Sequence, residues 1–536
     1  MPREYPPPLV VWRPVSPSKA VDGVLAVLVV CGLAVLMAPA FRRAGNVFDE
    51  GLLLAYPLQV LHGAVPHRDF ASFYGPGTPW LLAGWYEVAG ATQTAERILG
   101  LFYQAIIVLS LFFLCLPAGR LAALASAVAP SALLVWIDLE ATPPVGALAF
   151  GLASLAVLAV AYPGEGRRAR GFLIAGLLIA VGVLIRLDFA LALLAAAVPF
   201  LAGARAAARR RFAVGVLCGA VVYLVHGAIV GPGRISRIVS DLVASGPARR
   251  LPIDLGTDQA KVGLFALVAA LALLAVAAYS RRRAGSTRRS ARTLTALALL
   301  SLGLAPYALS RLDWVHVIPG SIPSLAALPA AAAVLAGPLA RRRSAAAVGT
   351  AVATGVLLVQ LAPLAIETRV RQNLDGLRGR PYPRGEKLVV DGRSFRVASA
   401  DDPRGVRRVL GIARRAERAG ARTLFVGPRD LRTSNANDAY LYYLLDGLKP
   451  ASYYLEMNPR TANRDGSGLA DDLRTADVLI LNRRWDVSAE PNDSNRPGPS
   501  EPNAVVRRDF DVVLRTGPYA VLLRRRAGWR SALSTN

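Results

Sequence analysis

Between Val21 and about Glu367 the sequence repeats one pattern: apolar runs of near membrane-crossing length, separated by short polar or basic stretches. A helix needs about 20 residues to cross the hydrocarbon core of a bilayer, where it must satisfy its own backbone hydrogen bonds. These runs predict a polytopic α-helical membrane bundle of about eleven transmembrane helices, followed by a C-terminal soluble α/β domain. The predicted spans are Val21–Ala40, Ala95–Leu116, Leu121–Ile137, Pro144–Tyr162, Gly171–Leu187, Phe189–Ala204, Phe212–Val230, Val262–Tyr279, Thr293–Leu309, Val317–Ala340 and Ala345–Ile366. Composition agrees: 54% of the residues are hydrophobic, above the ~45–50% usual for soluble domains.

The net charge is +26, yet its placement argues against a nucleic-acid partner. Arginines gather between apolar runs: Arg167, Arg168 and Arg170; Arg209 to Arg211; Arg281 to Arg283; Arg341 to Arg343. Such loops stay on the cytoplasmic side and touch anionic membrane lipids. One orientation satisfies all four clusters, with 1–20 a cytoplasmic N-terminus, 21–366 a transmembrane domain and 367–536 an extracytoplasmic domain. The first outer loop, 41–93, then shares its side with the turn 138–142 and with 231–261 and 310–316. Ala38-Pro39-Ala40 resembles a signal-peptide cleavage site, but the apolar run before it exceeds the ~7–15 residues of such peptides, so it is read as an uncleaved first helix. Cys31, Cys115 and Cys218 all fall inside apolar runs; they form no disulfide framework and are read as packing residues.

The region after Glu367 loses the apolar runs. "KLVVDGRSFRV" reads as a hairpin turning at Asp391-Gly392, and Asp402–Ala419 as a helix. "TLFVG" and "DVLILN" read as buried strands, and the stretch around Gly517-Pro518 as a closing hairpin. Five tyrosines between Tyr440 and Tyr454 are assigned to the core rather than to sugar binding.

The loop 41–93 carries chemistry that its apolar neighbours lack. Asp49 fits a helix cap, Glu50 a first turn and Gly63 the position after a helix end. "EGLLLAYPLQVLHG" is thus predicted to be an amphipathic helix at the membrane surface, kinked at Pro57 or split there into two short helices. Adjacent helical residues do not share a face, so Asp49 and Glu50 should point differently. Arg186 with Asp188, and Arg311 with Asp313 and His316, stand at outward helix ends near the same membrane face. Ionisable groups there are functional candidates.

A first apolar helix, Asp49-Glu50 opening the outer loop, a short helix, then "PHRDF…YGPGTPWLLAGWYEVAG" resembles the GT-C glycosyltransferases, in particular the bacterial protein mannosyltransferase-like and aminoarabinose transferase-like members. That resemblance implies a bacterial plasma-membrane enzyme in which Asp49 is the catalytic base and Glu50 its neighbour. The implied reaction moves a sugar from a polyprenyl-phosphate donor to a cell-envelope glycan, lipid or protein. The chemistry is coherent: a carboxylate suits an acceptor hydroxyl, and arginine, here Arg186 or Arg311, suits a departing phosphate. A single displacement inverts the anomeric centre. Arg68, Asp69, Tyr74, Asp188, Asp313 and His316 complete the candidate cavity.

Each assignment has a plainer alternative. Asp49 could only cap its helix; Arg186 and Arg311 could only snorkel or pair with Asp188 and Asp313. Arg68 and Asp69 either pair with each other or line an acceptor path. His62 and His67 read as interfacial polar residues, since no further ligands cluster near them. No dedicated metal site is legible, although acidic groups and water could hold Mg²⁺ or Mn²⁺. A transporter or flippase of a lipid-linked glycan is the alternative function, disfavoured by the scarcity of ionisable residues inside the spans.

Overall fold

The computed structural model describes residues 17–162, 169–281, 286–337, 339–487 and 490–525. Arg167, Arg168, Arg282 and Arg283 of the basic clusters lie outside them. The helices are α1 Pro17–Met37, α2 Asp49–Leu61, α3 Gly77–Ala89, α4 Gln93–Cys115, α5 Arg120–Val128, α6 Ser131–Ile137, α7 Pro143–Ala161, α8 Ala169–Ile185, α9 Ala190–Leu201 and α10 Ala206–Val230. They continue with α11 Pro232–Ala248, α12 Asp258–Arg281, α13 Ser286–Ser310, α14 Trp314–Leu335, α15 Ala340–Leu361 and α16 Thr368–Leu377.

Among the described residues nine helices are long and apolar enough to cross a membrane, and α8 and α9 are shorter apolar helices. All eleven predicted spans have a counterpart. The third is broken into α5 and α6, because Pro130 cannot continue the helical ladder. Central α14 is buried along most of its length although it carries Pro319, Pro323 and Pro329. Serines bind it to its neighbours: the Ser324 amide donates to Ser301 Oγ at 3.0 Å, and the Ser324 hydroxyl to the Ala266 carbonyl at 2.9 Å. Outward faces of α10 and α15 expose Leu217, Leu224 and Val352, as contact with lipid requires. Cys115 is buried as predicted, whereas Cys31 and Cys218 are exposed on such outward faces and pack no core.

The C-terminal domain opens with the hairpin β1 Glu386–Val390 and β2 Arg393–Val397, turning at Asp391 and Gly392, both at positive φ. Helix α17, Pro403–Arg418, leads into β3 Thr423–Pro428, α18 Tyr440–Leu444, β4 Lys449–Pro450, α19 Leu469–Thr475, β5 Val478–Asn482, α20 Glu501–Asp509, β6 Phe510–Thr516 and β7 Tyr519–Arg524. The five-stranded sheet runs β4-β3-β5-β7-β6, parallel at β4-β3-β5 and antiparallel beyond. Tyr440, Tyr442, Tyr443 and Tyr454 are core residues, at most 1% exposed.

This domain grips the loop between α1 and α4. The Tyr440 amide donates to the Val47 carbonyl at 3.2 Å, the Ala71 amide to the Tyr453 carbonyl at 2.7 Å, and the Gly45 amide to the Arg396 carbonyl at 2.8 Å. Helix α2 therefore does not lie on a membrane surface. Residues Glu50 to Leu58 are all buried, between α3, α4 and α18. Nor does Pro57 split it. Pro57 lacks the N–H that would bond the Leu53 carbonyl, and the Tyr86 hydroxyl donates to that oxygen instead, at 3.1 Å.

The approach of α2 to α18 depends on Gly51, where a Cβ would press on the Tyr440 amide and lie 3.0 Å from the Ala439 carbonyl carbon. Gly51→Ala is expected to cost about 1–3 kcal/mol of overpacking, read as a lowered Tm of the detergent-solubilised protein. An unchanged Tm would mean that the two helices separate freely.

Candidate functional site

The first turn of α2 divides its two acids. Asn46, not Asp49, is the cap: its Oδ1 accepts from the Phe48 and Asp49 amides at 2.9 and 3.0 Å. Its Nδ2 donates to Asp49 Oδ2 at 2.9 Å. Asp49 is freed from capping and lines a cavity of about 1680 Å³. Glu50, one residue and ~100° further round the helix, is fully buried and does not line that cavity. Arg97 of α4 clamps it with two hydrogen bonds, Nε to Oε1 at 2.7 Å and Nη2 to Oε2 at 2.9 Å. Glu50, grouped with Asp49 at the catalytic centre by resemblance, thus stands outside the cavity and is held by Arg97.

The same cavity collects Tyr74, Arg186, Asp188, Arg311, Asp313 and His316, which arrive from the α2–α3 loop and the α8–α9 and α13–α14 turns. Each predicted arginine is paired. Arg186 grips Asp188 at 2.9 and 2.5 Å and lies 4.9 Å over the Tyr307 ring. Arg311 bonds Asp313 at 2.5 Å and also reaches Glu490. Asp313 caps α14 through the His316 amide and accepts from or shares a proton with His316 Nδ1 at 2.7 Å. Arg68 and Asp69 do not line the cavity. They pair with each other at 2.7 Å on the surface, which holds the Asp69 carboxyl below its usual range.

Sequence reasoning missed several wall residues. Arg249, at the end of α11, lines the cavity and makes no ion pair with a carboxylate among the described residues. Asp138 and Glu140 come from the five-residue turn between α6 and α7, where two carboxylates one residue apart between apolar spans were a usable signal. Burial, reinforced by Glu50, pushes the Glu140 carboxyl well above its usual range. Glu456 reaches the cavity from the C-terminal domain, and nothing local in the sequence points to it. His67 is buried against His226, its Nδ1 2.9 Å from His226 Nε2.

One wall is apolar. Ile235, Ile238, Val239 and Leu242 of α11 line the cavity, as do Val145 and Val230. The opposite side of α11 is tied to the C-terminal domain: Arg234 and Arg237 lie 4.7 and 5.1 Å over the Tyr453 ring, and Asp241 pairs with Arg464 at 2.5 Å. Among the described residues no three His, Cys, Asp or Glu side chains are gathered so as to hold a metal ion.

Asp49 is half-exposed only because the cavity is wide; protein surrounds it. Burial is the main cause that raises its pKa to about 6, and the negative charges of Glu456 and Asp313 add to it. Arg249 and Arg311 oppose the rise. A carboxyl so placed is half-ionised near pH 6 and ionised at neutral pH, where it can accept a proton.

The family model described as dolichyl-phosphate-mannose-protein mannosyltransferase matches residues 74–229. Among solved structures, ArnT from Cupriavidus metallidurans in the apo state is similar with a TM-score of 0.50 at 14% identity, over 94% of this chain and 98% of that one. The same protein bound to undecaprenyl phosphate gives 0.48 at 14% identity, over 96% and 99% of the two chains. The arabinofuranosyltransferase AftD from Mycobacteria gives 0.46 at 14% identity, over 96% of this chain and 40% of that one. No curated protein sequence matches the chain. The resemblance read from the loop 41–93 thus extends to the fold of the whole chain.

The buried pair makes a direct prediction. Arg97→Met strands Glu50 in a dry interior and is expected to cost about 3–5 kcal/mol, whereas Arg97→Met with Glu50→Leu should recover most of it. Thermal unfolding of both purified variants checks this; a double variant no more stable than the single one would contradict it.

Proposed function

Because this fold is that of the GT-C glycosyltransferase superfamily, we propose that the protein is a membrane glycosyltransferase that moves a sugar from a polyprenyl-phosphate donor to an acceptor hydroxyl. The observation that carries this reading is one cavity in which Asp49 stands with Arg186, Arg249 and Arg311 beside an apolar wall. That wall suits a polyprenyl chain, and the arginines suit the phosphate at its end. ArnT, whose apo structure shares the fold, has also been crystallised with undecaprenyl phosphate, which supports a donor of that class.

In the proposed step the acceptor oxygen attacks the anomeric carbon while its proton passes to the Asp49 carboxylate. The bond from the anomeric carbon to the donor phosphate oxygen breaks, and its electron pair leaves with the lipid phosphate. This single displacement inverts the anomeric centre. Arg249 is the first choice to stabilise the departing charge, since Arg186 and Arg311 are already held by Asp188, Asp313 and Glu490. Glu50 takes no part beyond fixing the turn that carries Asp49. The acceptor is a cell-envelope glycan, lipid or protein. The site faces outward, with the N-terminus and the arginine clusters Arg209–Arg211 and Arg341–Arg343 cytoplasmic, as basic loops demand.

Asp49→Asn should lower sugar transfer by about 10²–10⁴-fold, the usual worth of a general base, while membrane insertion and Tm persist. Near wild-type turnover would sink the assignment, and movement of lipid-linked sugar across vesicles without transfer would favour a flippase. In the wild type, transfer should fall as pH drops through about 6 and Asp49 takes up a proton. Arg249→Ala should weaken donor use by roughly 10–100-fold, the worth of a hydrogen bond to a charged group, measured as kcat/KM for the lipid-phosphate sugar. An unchanged value would return the phosphate to Arg186 or Arg311.

A further inference from the structure

Glu456 is a carboxylate with no evident structural need to be charged. It is 3% exposed, yet it lines the cavity that Asp49 lines. Its Oε2 accepts from the Tyr56 hydroxyl at 2.7 Å and its Oε1 from Asn458 Nδ2 at 2.5 Å. A neutral glutamine would avoid burying a charge, which is costly in a protein interior, but it offers one acceptor oxygen, so the Tyr56 hydroxyl would have to turn and accept from its amide. The charge of this acid faces the cavity that Asp49 lines.

Tyr56 follows Asp49 by seven residues on α2, which is two turns and only about 20° round the helix, so both stand on one face. Helical side chains lean toward the N-terminus of their helix, so the Tyr56 ring reaches back along α2 toward Asp49. The Glu456 carboxylate hangs on the end of that ring. Its segment is fixed by Asn437, whose Nδ2 donates to the Leu455 carbonyl at 2.9 Å, and Asn437 stands just before α18, the helix that packs on α2. The segment that packs on α2 thereby carries this acid to the cavity that Asp49 lines.

We propose that Glu456 is a positioning residue through which the C-terminal domain completes the reaction centre, its negative charge keeping Asp49 basic enough to accept the acceptor proton. This rests on the reading of Asp49 as the base. The other charged and titratable groups facing Asp49 are Arg249 from α11, Arg311 and Asp313 from the α13–α14 turn, Glu140 from the α6–α7 turn and Tyr74 from the α2–α3 loop. Glu456 is the strongest of the charges on Asp49 after burial itself, and it acts to raise its proton affinity. Tyr74 stays a neutral phenol, held well above its usual range by burial and then by Glu456.

The test is the pH profile of kcat/KM for sugar transfer in the full-length protein. Glu456→Gln keeps the shape and removes the charge; one acceptor becomes an N–H donor, toward which the Tyr56 hydroxyl can turn. The acid limb, near pH 6 in the wild type, is expected to fall by about one pH unit, as a lost neighbouring charge predicts. A folded E456Q whose activity drops while the limb stays put would make Glu456 merely structural and overturn the proposal. Where E456Q fails to fold, Glu456→Asp withdraws the carboxylate by one methylene and should lower the limb by a smaller step in the same direction; a wild-type limb overturns the proposal there too. An inactive D49N beside an unmoved limb defeats this inference and leaves Asp49 as base. An active D49N defeats the base reading itself.

Discussion

The Arg97 guanidinium organises the first outer loop. It binds both oxygens of Glu50, and its Nη1 also donates to the carbonyls of Ala40 at 2.9 Å and Arg43 at 3.1 Å. One side chain on α4 thereby fixes the end of the first span, the turn that follows and the first turn of α2. Gly45 must be a glycine here, because a Cβ would strike the Glu50 carboxylate and lie 2.6 Å from the Phe395 ring. A buried ion pair gains little stability after desolvation, but it specifies register well. With Glu50 anchored toward α4, helical geometry turns Asp49 to the other side, into the cavity. The anchored acid sets the direction of its neighbour.

The C-terminal domain is less an appendage than the roof of that cavity. The loop 41–93 leaves polar backbone in a region walled by apolar helices, and buried N–H and C=O groups need partners. They find them in β2, α18 and the Tyr453 segment, through the bonds of Gly45, Val47 and Ala71. The hairpin β1–β2 contributes Phe395, stacked 4.7 Å from Tyr440. Because the domain satisfies the loop, it also closes the space above Asp49. That enclosure accounts for a carboxyl whose pKa rises to about 6.

Much of this was legible in the sequence, for identifiable reasons. Membrane-length apolar runs and basic loops fixed the spans, since the bilayer leaves few alternatives. The divergence of Asp49 from Glu50 followed from helical geometry alone. The surface placement of α2 did not hold, and its own sequence held the warning: Leu52 to Leu58 is apolar all round apart from the Tyr56 hydroxyl, the mark of a buried rather than an interfacial helix. Helix α2 runs on through Pro57 without splitting in two, and Tyr86, from another helix, takes the orphaned carbonyl. Arg249 and Glu456 escaped notice because neither lies in a motif. Only the fold brings them within reach of Asp49, from positions about 200 and 400 residues away.

The balance of charge in the cavity links donor binding to the strength of the base. Arg186 and Arg311 already bond carboxylates, and Asp313 has duties at the cap of α14 and with His316. A phosphate that claimed either arginine would displace an existing pair and recover little. Arg249 has no such partner among the described residues, and its charge is the largest influence that lowers the proton affinity of Asp49. A donor phosphate on Arg249 offsets that charge, leaving burial and Glu456 less opposed. In the proposed reaction Asp49 then becomes a stronger base when the donor is in place and a weaker one after the lipid phosphate departs. The arginine that suits the leaving group is thus also the one whose occupancy readies the carboxylate for the acceptor's proton.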